Sequence, residues 1–101
     1  MMTKQKGNPR SVAKVKPTAD RNELRRIFYE GVDHGEWNLR AALRQFRIML
    51  GMTQTEFAKY TEVPRRVVMA IEQGKGNPTV RTLEKLLKGS GLRISVQRNP
   101  R

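Results

Sequence analysis

The chain has 101 residues, enough for one small domain, and carries a formal net charge of +12 at pH 7. It contains no cysteine, which excludes zinc fingers, disulfide scaffolds and thiol catalysis. No stretch approaches the roughly 18 apolar residues of a membrane span, and no signal-peptide core is present, so a cytoplasmic protein without a membrane partner is expected. The basic excess predicts a polyanionic partner, which could be DNA, RNA or an anionic membrane surface.

The N-terminal segment, residues 1–19, has five basic groups, no acidic group and little hydrophobic content. Such a composition predicts a tail that is disordered in isolation. Two interpretations stand side by side, a basic arm that follows the phosphate backbone or a minor groove, and a solvated tail without a partner.

Residues 20–37 are predicted to form an additional N-terminal helix, and their charges sum to −2. Asp20 and Glu23 make a capping pair, and apolar residues recur at helical spacing up to about Val32. We expect this helix to pack on the core or on a dimer mate, with partner binding as an alternative. His34, the one histidine, lacks the additional ligands that a metal site needs, so no metal is expected.

Two short helices joined by a tight turn are predicted over residues 52–75. Thr53 is a good N-cap, and Glu56 three residues later completes a capping box. Pro64 suits the start of the second helix, and Gly74 its end. This arrangement is a helix-turn-helix, and its expected function is to read DNA.

The sequences GMTQTEFA, AIEQGKGNPT and TLEKLL resemble the Cro/phage-repressor (XRE) family of helix-turn-helix proteins. The resemblance covers roughly residues 39–96 and implies an all-α, five-helix bundle with a lambda-repressor-like helix-turn-helix. The DNA-binding domain is predicted at residues 38–91. The motif's four apolar positions are filled by Phe57, Val63, Val68 and Ile71.

Two positions depart from the family motif. The eighth place, usually apolar or small, is Thr61, and the ninth, often a left-handed glycine, is Glu62. A residue other than glycine in that conformation costs on the order of 1 kcal/mol, which a packed turn can absorb.

The resemblance also implies which residues meet DNA. Arg65 and Arg66 match positions that read bases, where arginine can bind guanine bidentately; phosphate binding without sequence choice is the alternative. Gln54 matches a position that contacts phosphate. The further candidates are Val67, Met69 and Ala70 on the exposed face, with Lys59 and Lys75 as backbone contacts. The family further implies a structural ion pair between Arg47 and Glu72.

The last ten residues, 92–101, are predicted to contain a strand, because apolar and polar residues alternate there. Since a lone strand leaves its backbone unpaired, we expect it to pair with the same strand of a second copy. The dimerisation residues would be Leu92, Ile94 and Val96. This feature makes the chain most similar to HipB-like antitoxins.

The sequence therefore predicts a homodimeric, nucleoid-associated repressor that binds a palindromic operator in double-stranded DNA and needs no cofactor. The HipB-like resemblance implies an antitoxin that binds a HipA-like serine/threonine kinase and autorepresses its operon. A stand-alone XRE-family regulator and an RNA-linked coactivator are the alternatives. An enzyme is not expected, because the single histidine and the serines lack an arranged partner for catalysis.

Overall fold

The computed structural model describes residues 20–96 and residue 98. Five α-helices follow one another in this part of the chain: α1 (Arg21–Asp33), α2 (Leu39–Met49), α3 (Gln54–Thr61), α4 (Arg65–Glu72) and α5 (Val80–Leu86). The predicted all-α helix-turn-helix fold is confirmed for these residues. The predicted basic tail, residues 1–19, lies outside them.

Polar side chains cap four of the five helices at their N-termini. Asp20, Asn38, Thr53 and Thr79 each accept a hydrogen bond from a backbone amide in the first turn. Thr53 and Glu56 form the predicted capping box, with the two amide-to-side-chain bonds at 3.0 and 2.8 Å. These caps satisfy amides that have no partner within the helix, so they define the starts of the helices locally.

Three phenylalanines from three helices form the centre of the core. Phe28 of α1, Phe46 of α2 and Phe57 of α3 are each at most 1% exposed. The ring centroids of Phe28 and Phe46 lie 5.5 Å apart, and those of Phe46 and Phe57 lie 6.0 Å apart. The other buried apolar residues are Leu43, Met49, Ala58, Val63, Val68, Ile71, Leu83, Leu86 and Leu87. Helix α1 therefore shares the hydrophobic core of the helix-turn-helix.

Two aromatic side chains hold α1 in place. The indole Nε1 of Trp37 donates to the carbonyl of Phe28 at 3.0 Å, and the ring covers Gly31 so closely that no Cβ would fit there. The Tyr29 hydroxyl donates to the carbonyl of Ser90 at 2.6 Å. These contacts lie within one chain. Helix α1 therefore packs on its own domain, and its position does not depend on a second copy.

The prediction of a C-terminal strand is wrong. Among residues 20–96 and 98 there is no strand, and residues 92–96 form an irregular segment. Leu92 and Ile94 are half-buried and pack against the helical core of their own chain, while Val96 is 96% exposed. The alternation in the sequence thus reflects an irregular segment that lies on the helices. The Leu92 amide donates to the Ser90 hydroxyl at 2.9 Å.

None of the helices in the described part of the chain is both long and apolar enough to cross a lipid bilayer.

Candidate DNA interface

The turn between α3 and α4 sets the angle at which the second helix leaves the first. Glu62 adopts the left-handed conformation, with φ 60° and ψ 38°. The Val63 amide then donates to the Ala58 carbonyl at 3.1 Å, which closes the end of α3 in the manner of a Schellman motif. Thr61 is buried, and its hydroxyl donates to the Phe57 carbonyl at 2.8 Å. The two departures from the motif are thus accommodated without changing the turn.

Helix α4 begins with two exposed arginines. Its N-cap, Pro64, makes no side-chain hydrogen bond to the first turn. Arg65 and Arg66 are exposed, and no carboxylate of the described residues forms an ion pair with either. The N-terminal end of a helix carries partial positive charge, which the two guanidinium groups increase. The start of α4 can therefore bind phosphate oxygens or the acceptor edge of guanine.

A groove of about 460 Å³ runs between α4 and the loop that leads to α5. Four of the predicted DNA-contacting residues line it together: Arg66, Val67, Ala70 and Lys75. Asn77, Pro78 and Thr82 line the same groove, although the sequence reasoning did not select them. The polar loop that follows Gly74 is the sequence signal by which these residues could have been found.

The remaining predicted residues are placed differently. Arg65 and Lys59 are exposed on α4 and α3, and Met69 is half-buried on α4. None of these three residues lines the groove.

Gln54, at the start of α3, is engaged within the protein. Its Nε2 atom donates to Glu72 Oε1 at 3.1 Å. The structure brings Glu72 together with Arg47 as well, with Arg47 Nε 2.7 Å from Glu72 Oε2. The N-terminus of α3 and the C-terminal end of α4 are therefore linked through one carboxylate.

The comparisons with known proteins agree with this geometry. The helix-turn-helix family HTH_3 matches residues 43–95. An uncharacterized HTH-type transcriptional regulator of Archaeoglobus fulgidus is 39% identical over 56 residues, which are 55% of this chain and 80% of that protein. A similar regulator of Methanocaldococcus jannaschii is 35% identical over 52 residues, covering 52% of this chain and 79% of that protein. No solved structure matches the chain significantly.

The chain therefore belongs to the XRE-type helix-turn-helix family. It is a DNA-binding transcriptional regulator, and its relatives are named as regulators rather than as enzymes. The family match begins within α2, so α1 is an element outside the matched region.

Proposed function

We propose that this protein is a sequence-specific transcriptional repressor that reads its operator with the N-terminal end of α4. The observation that supports this function is the pair Arg65 and Arg66 at the start of a helix, both exposed and without an ion pair to a carboxylate of residues 20–96. In helix-turn-helix proteins, the N-terminal residues of the second helix meet base edges in the major groove. Contacts to phosphates would supply most of the affinity, and the arginines most of the choice of site.

The other predicted residues have supporting roles in this proposal. One N–H of the Gln54 amide is bound to Glu72, and the second remains available to a phosphate oxygen. Lys59 and Lys75 are exposed and would contact the backbone. The half-buried apolar side chains of α4, which are Val67, Met69 and Ala70, would contact thymine methyl groups.

The test compares Arg65→Gln and Arg66→Gln with wild type by fluorescence anisotropy, on the promoter upstream of the gene and on scrambled DNA at two salt concentrations. We expect at least one variant to lose about 5- to 100-fold of the preference for the promoter, because a bidentate arginine–guanine contact contributes about 1–3 kcal/mol of discrimination. Arg25→Gln on α1 is the matched control, with the same change in charge. Unchanged discrimination in both α4 variants would refute this role.

We also propose that the repressor acts as a homodimer on a palindromic operator. Two recognition helices about one helical turn of DNA apart would match the two-fold symmetry of such a site. Leu39 and Val80 remain 43% and 56% exposed and offer apolar surface for the contact. Sedimentation of the wild type and of Val80→Asp tests whether the protein forms a homodimer. A wild type that sediments as a monomer both in the absence and in the presence of DNA would refute the dimer.

A toxin–antitoxin function is the second candidate. The observation that favours it is α1, which lies outside the family match and gives the domain an additional surface. A HipA-like kinase encoded beside this gene and co-purifying with the protein would support the antitoxin. Residues 92–96 form no strand, so the feature on which the HipB-like resemblance rested is missing from them. If no such kinase gene lies beside this one, the stand-alone regulator is the favoured function.

A further inference from the structure

Helix α2 carries three arginines along one side, at positions 40, 44 and 47. Residues four and three positions apart on a helix are neighbours on its surface, so these side chains form a stripe. Glu72 neutralises Arg47. Arg40 and Arg44 have no ion pair with any carboxylate of the described residues. Two uncompensated positive charges therefore lie beside the compensated one.

The stripe follows the C-terminal end of the recognition helix. Arg47 contacts Glu72, the last residue of α4, and the Arg40 side chain lies against Gly74 just beyond it. A Cβ built on Gly74 would be 3.3 Å from Arg40 Nη1 and 3.6 Å from Arg40 Cδ. Gly74 has a φ of +76°, and the exposed Lys75 follows it. Arg40, Arg44 and Lys75 thus make a second cationic group, at the opposite end of α4 from Arg65 and Arg66.

Arg44 gives the stronger indication of an anionic ligand. The residue is half-buried, and its Nε atom is buried without a hydrogen-bond partner among residues 20–96. Partial burial reduces the hydration of this guanidinium, so charge-assisted hydrogen bonds from its terminal nitrogens to an incoming anion would be favourable. Arg40 by itself could be explained by attraction to the negative end of the α4 dipole. The same explanation does not apply to Arg44, which lies one turn further along α2.

We propose that Arg40 and Arg44 form a second phosphate-binding site, which holds the DNA backbone beside the C-terminal end of α4. The inference rests on the proposed function, because it takes α4 as the helix that enters the major groove. Four residues of α-helix span about 6 Å, and one DNA strand has a phosphate every 3.4 Å or so along its axis. The separation of the two arginines thus corresponds to about two phosphate steps along one strand, so each guanidinium can bind a phosphate of its own, and arginine can do so bidentately. The two ends of the recognition helix would then both be fixed to the backbone.

The salt dependence of DNA binding tests the site. Each phosphate contact contributes about 0.9 to the slope of log K against log salt concentration. We expect the double variant Arg40→Gln/Arg44→Gln to lower the magnitude of this slope by about 1–2, and to weaken binding equally on promoter and scrambled DNA. Arg40→Lys/Arg44→Lys keeps the charges and should keep most of the slope.

The matched control is Arg25→Gln/Arg26→Gln on α1, which removes the same net charge. Arg26 is already paired with Glu23 and Glu30, and Arg25 lies over the Tyr29 ring. The proposal would be overturned if the control and test variants changed the slope by the same amount. It would also be overturned if neither variant changed the slope. Arg40→Gln alone, at an exposed position, keeps the test valid if the double variant does not fold, with an expected loss of about 1 in slope.

Failure of this site can be told apart from failure of the proposed function. Suppose that the wild type prefers its promoter over scrambled DNA, but the Arg40→Gln/Arg44→Gln variant has the same salt dependence as the wild type. Only the second phosphate site is then refuted. If the wild type shows no preference for the promoter, sequence-specific repression is refuted. A reduced slope in the double variant would then still support the phosphate contacts.

Discussion

Arg47 and Glu72 are joined by two parallel hydrogen bonds that tie α2 to the end of α4. Arg47 Nε lies 2.7 Å from Glu72 Oε2, and Arg47 Nη2 lies 2.9 Å from Glu72 Oε1. Their side chains are only 14% and 7% exposed. Arg47 also donates to the Met52 carbonyl at 2.9 Å, and Glu72 accepts from Gln54. One ion pair therefore connects three parts of the DNA-binding domain.

The first prediction concerns this ion pair. Glu72→Gln should lower the free energy of unfolding by about 3–5 kcal/mol, because it leaves the Arg47 guanidinium largely buried without its counter-charge. Urea denaturation followed by circular dichroism measures the change. The double variant Arg47→Met/Glu72→Met should recover much of the loss, since apolar side chains need no counter-charge.

Glu30→Gln is the matched control for Glu72→Gln. Glu30 pairs with Arg26 on the surface of α1, where both side chains are more than half exposed. We expect its midpoint of unfolding to stay close to that of the wild type, because solvent screens an exposed pair. Equal losses in Glu30→Gln and Glu72→Gln would contradict a special role for the buried pair.

The second prediction concerns the left-handed turn at Glu62. Glu62→Gly removes the steric cost of a φ of 60°, although glycine also loses more entropy on folding. Comparison with Glu62→Ala separates the backbone from the carboxylate, because both variants remove the charge. We expect the glycine variant to be more stable than the alanine variant by about 1 kcal/mol in urea denaturation. Identical stabilities would mean that the strain at position 62 is no larger than the extra entropy that glycine loses on folding.

The third prediction concerns the contact between Gly31 and Trp37. A Cβ at position 31 would lie 1.9 Å from Trp37 Nε1, so Gly31→Ala must displace the indole ring. We expect a loss of about 1–3 kcal/mol and a red shift in the fluorescence of this single tryptophan. In a Trp37→Ala background the same substitution should become stabilising, since alanine is the better helix former. A destabilisation of equal size in both backgrounds would exclude the steric explanation.

The fourth prediction concerns the bond between α1 and the end of α5. Tyr29→Phe removes the hydroxyl that donates to the Ser90 carbonyl, and should cost about 1–2 kcal/mol of stability because Ser90 is buried. Tyr60→Phe is the comparison variant. Its hydroxyl donates to the Lys88 carbonyl at 3.1 Å in an exposed position, so water can replace it and the loss should be smaller. Thermal unfolding of both variants measures the two losses of stability. A larger loss in Tyr60→Phe than in Tyr29→Phe would contradict this account.

The helices of this protein could be predicted from sequence because their signals are local. The predicted Thr53–Glu56 capping box acts over three residues, the predicted cap Asp20 acts over two, and the cap Asn38 acts over three. Glu62 adopts the left-handed conformation that is often found at the ninth place of the motif, although it is not a glycine. Such signals depend on the nearest turns of the chain and little on tertiary contacts.

The C-terminal segment shows where local reasoning failed. The alternation of Leu92, Ile94 and Val96 is compatible with a strand, yet the first two side chains pack on the helices of the same chain. Whether an apolar residue meets its own core or a partner depends on which surfaces the helices leave open. That information is absent from a pattern of five residues.

The sequence alone therefore determined the helices, the turn and the family, because caps, periodicity and motif spacing act within a few residues. The tertiary structure decided which polar side chains form hydrogen bonds within the protein and which do not. It bound Gln54 to Glu72, and within the part of the chain that the structure describes it left the Nε atom of Arg44 without a hydrogen-bond partner. The physical reason is that a side chain's hydrogen bonds depend on residues distant in sequence, as with Gln54 and Glu72, which are separated by 18 in residue number.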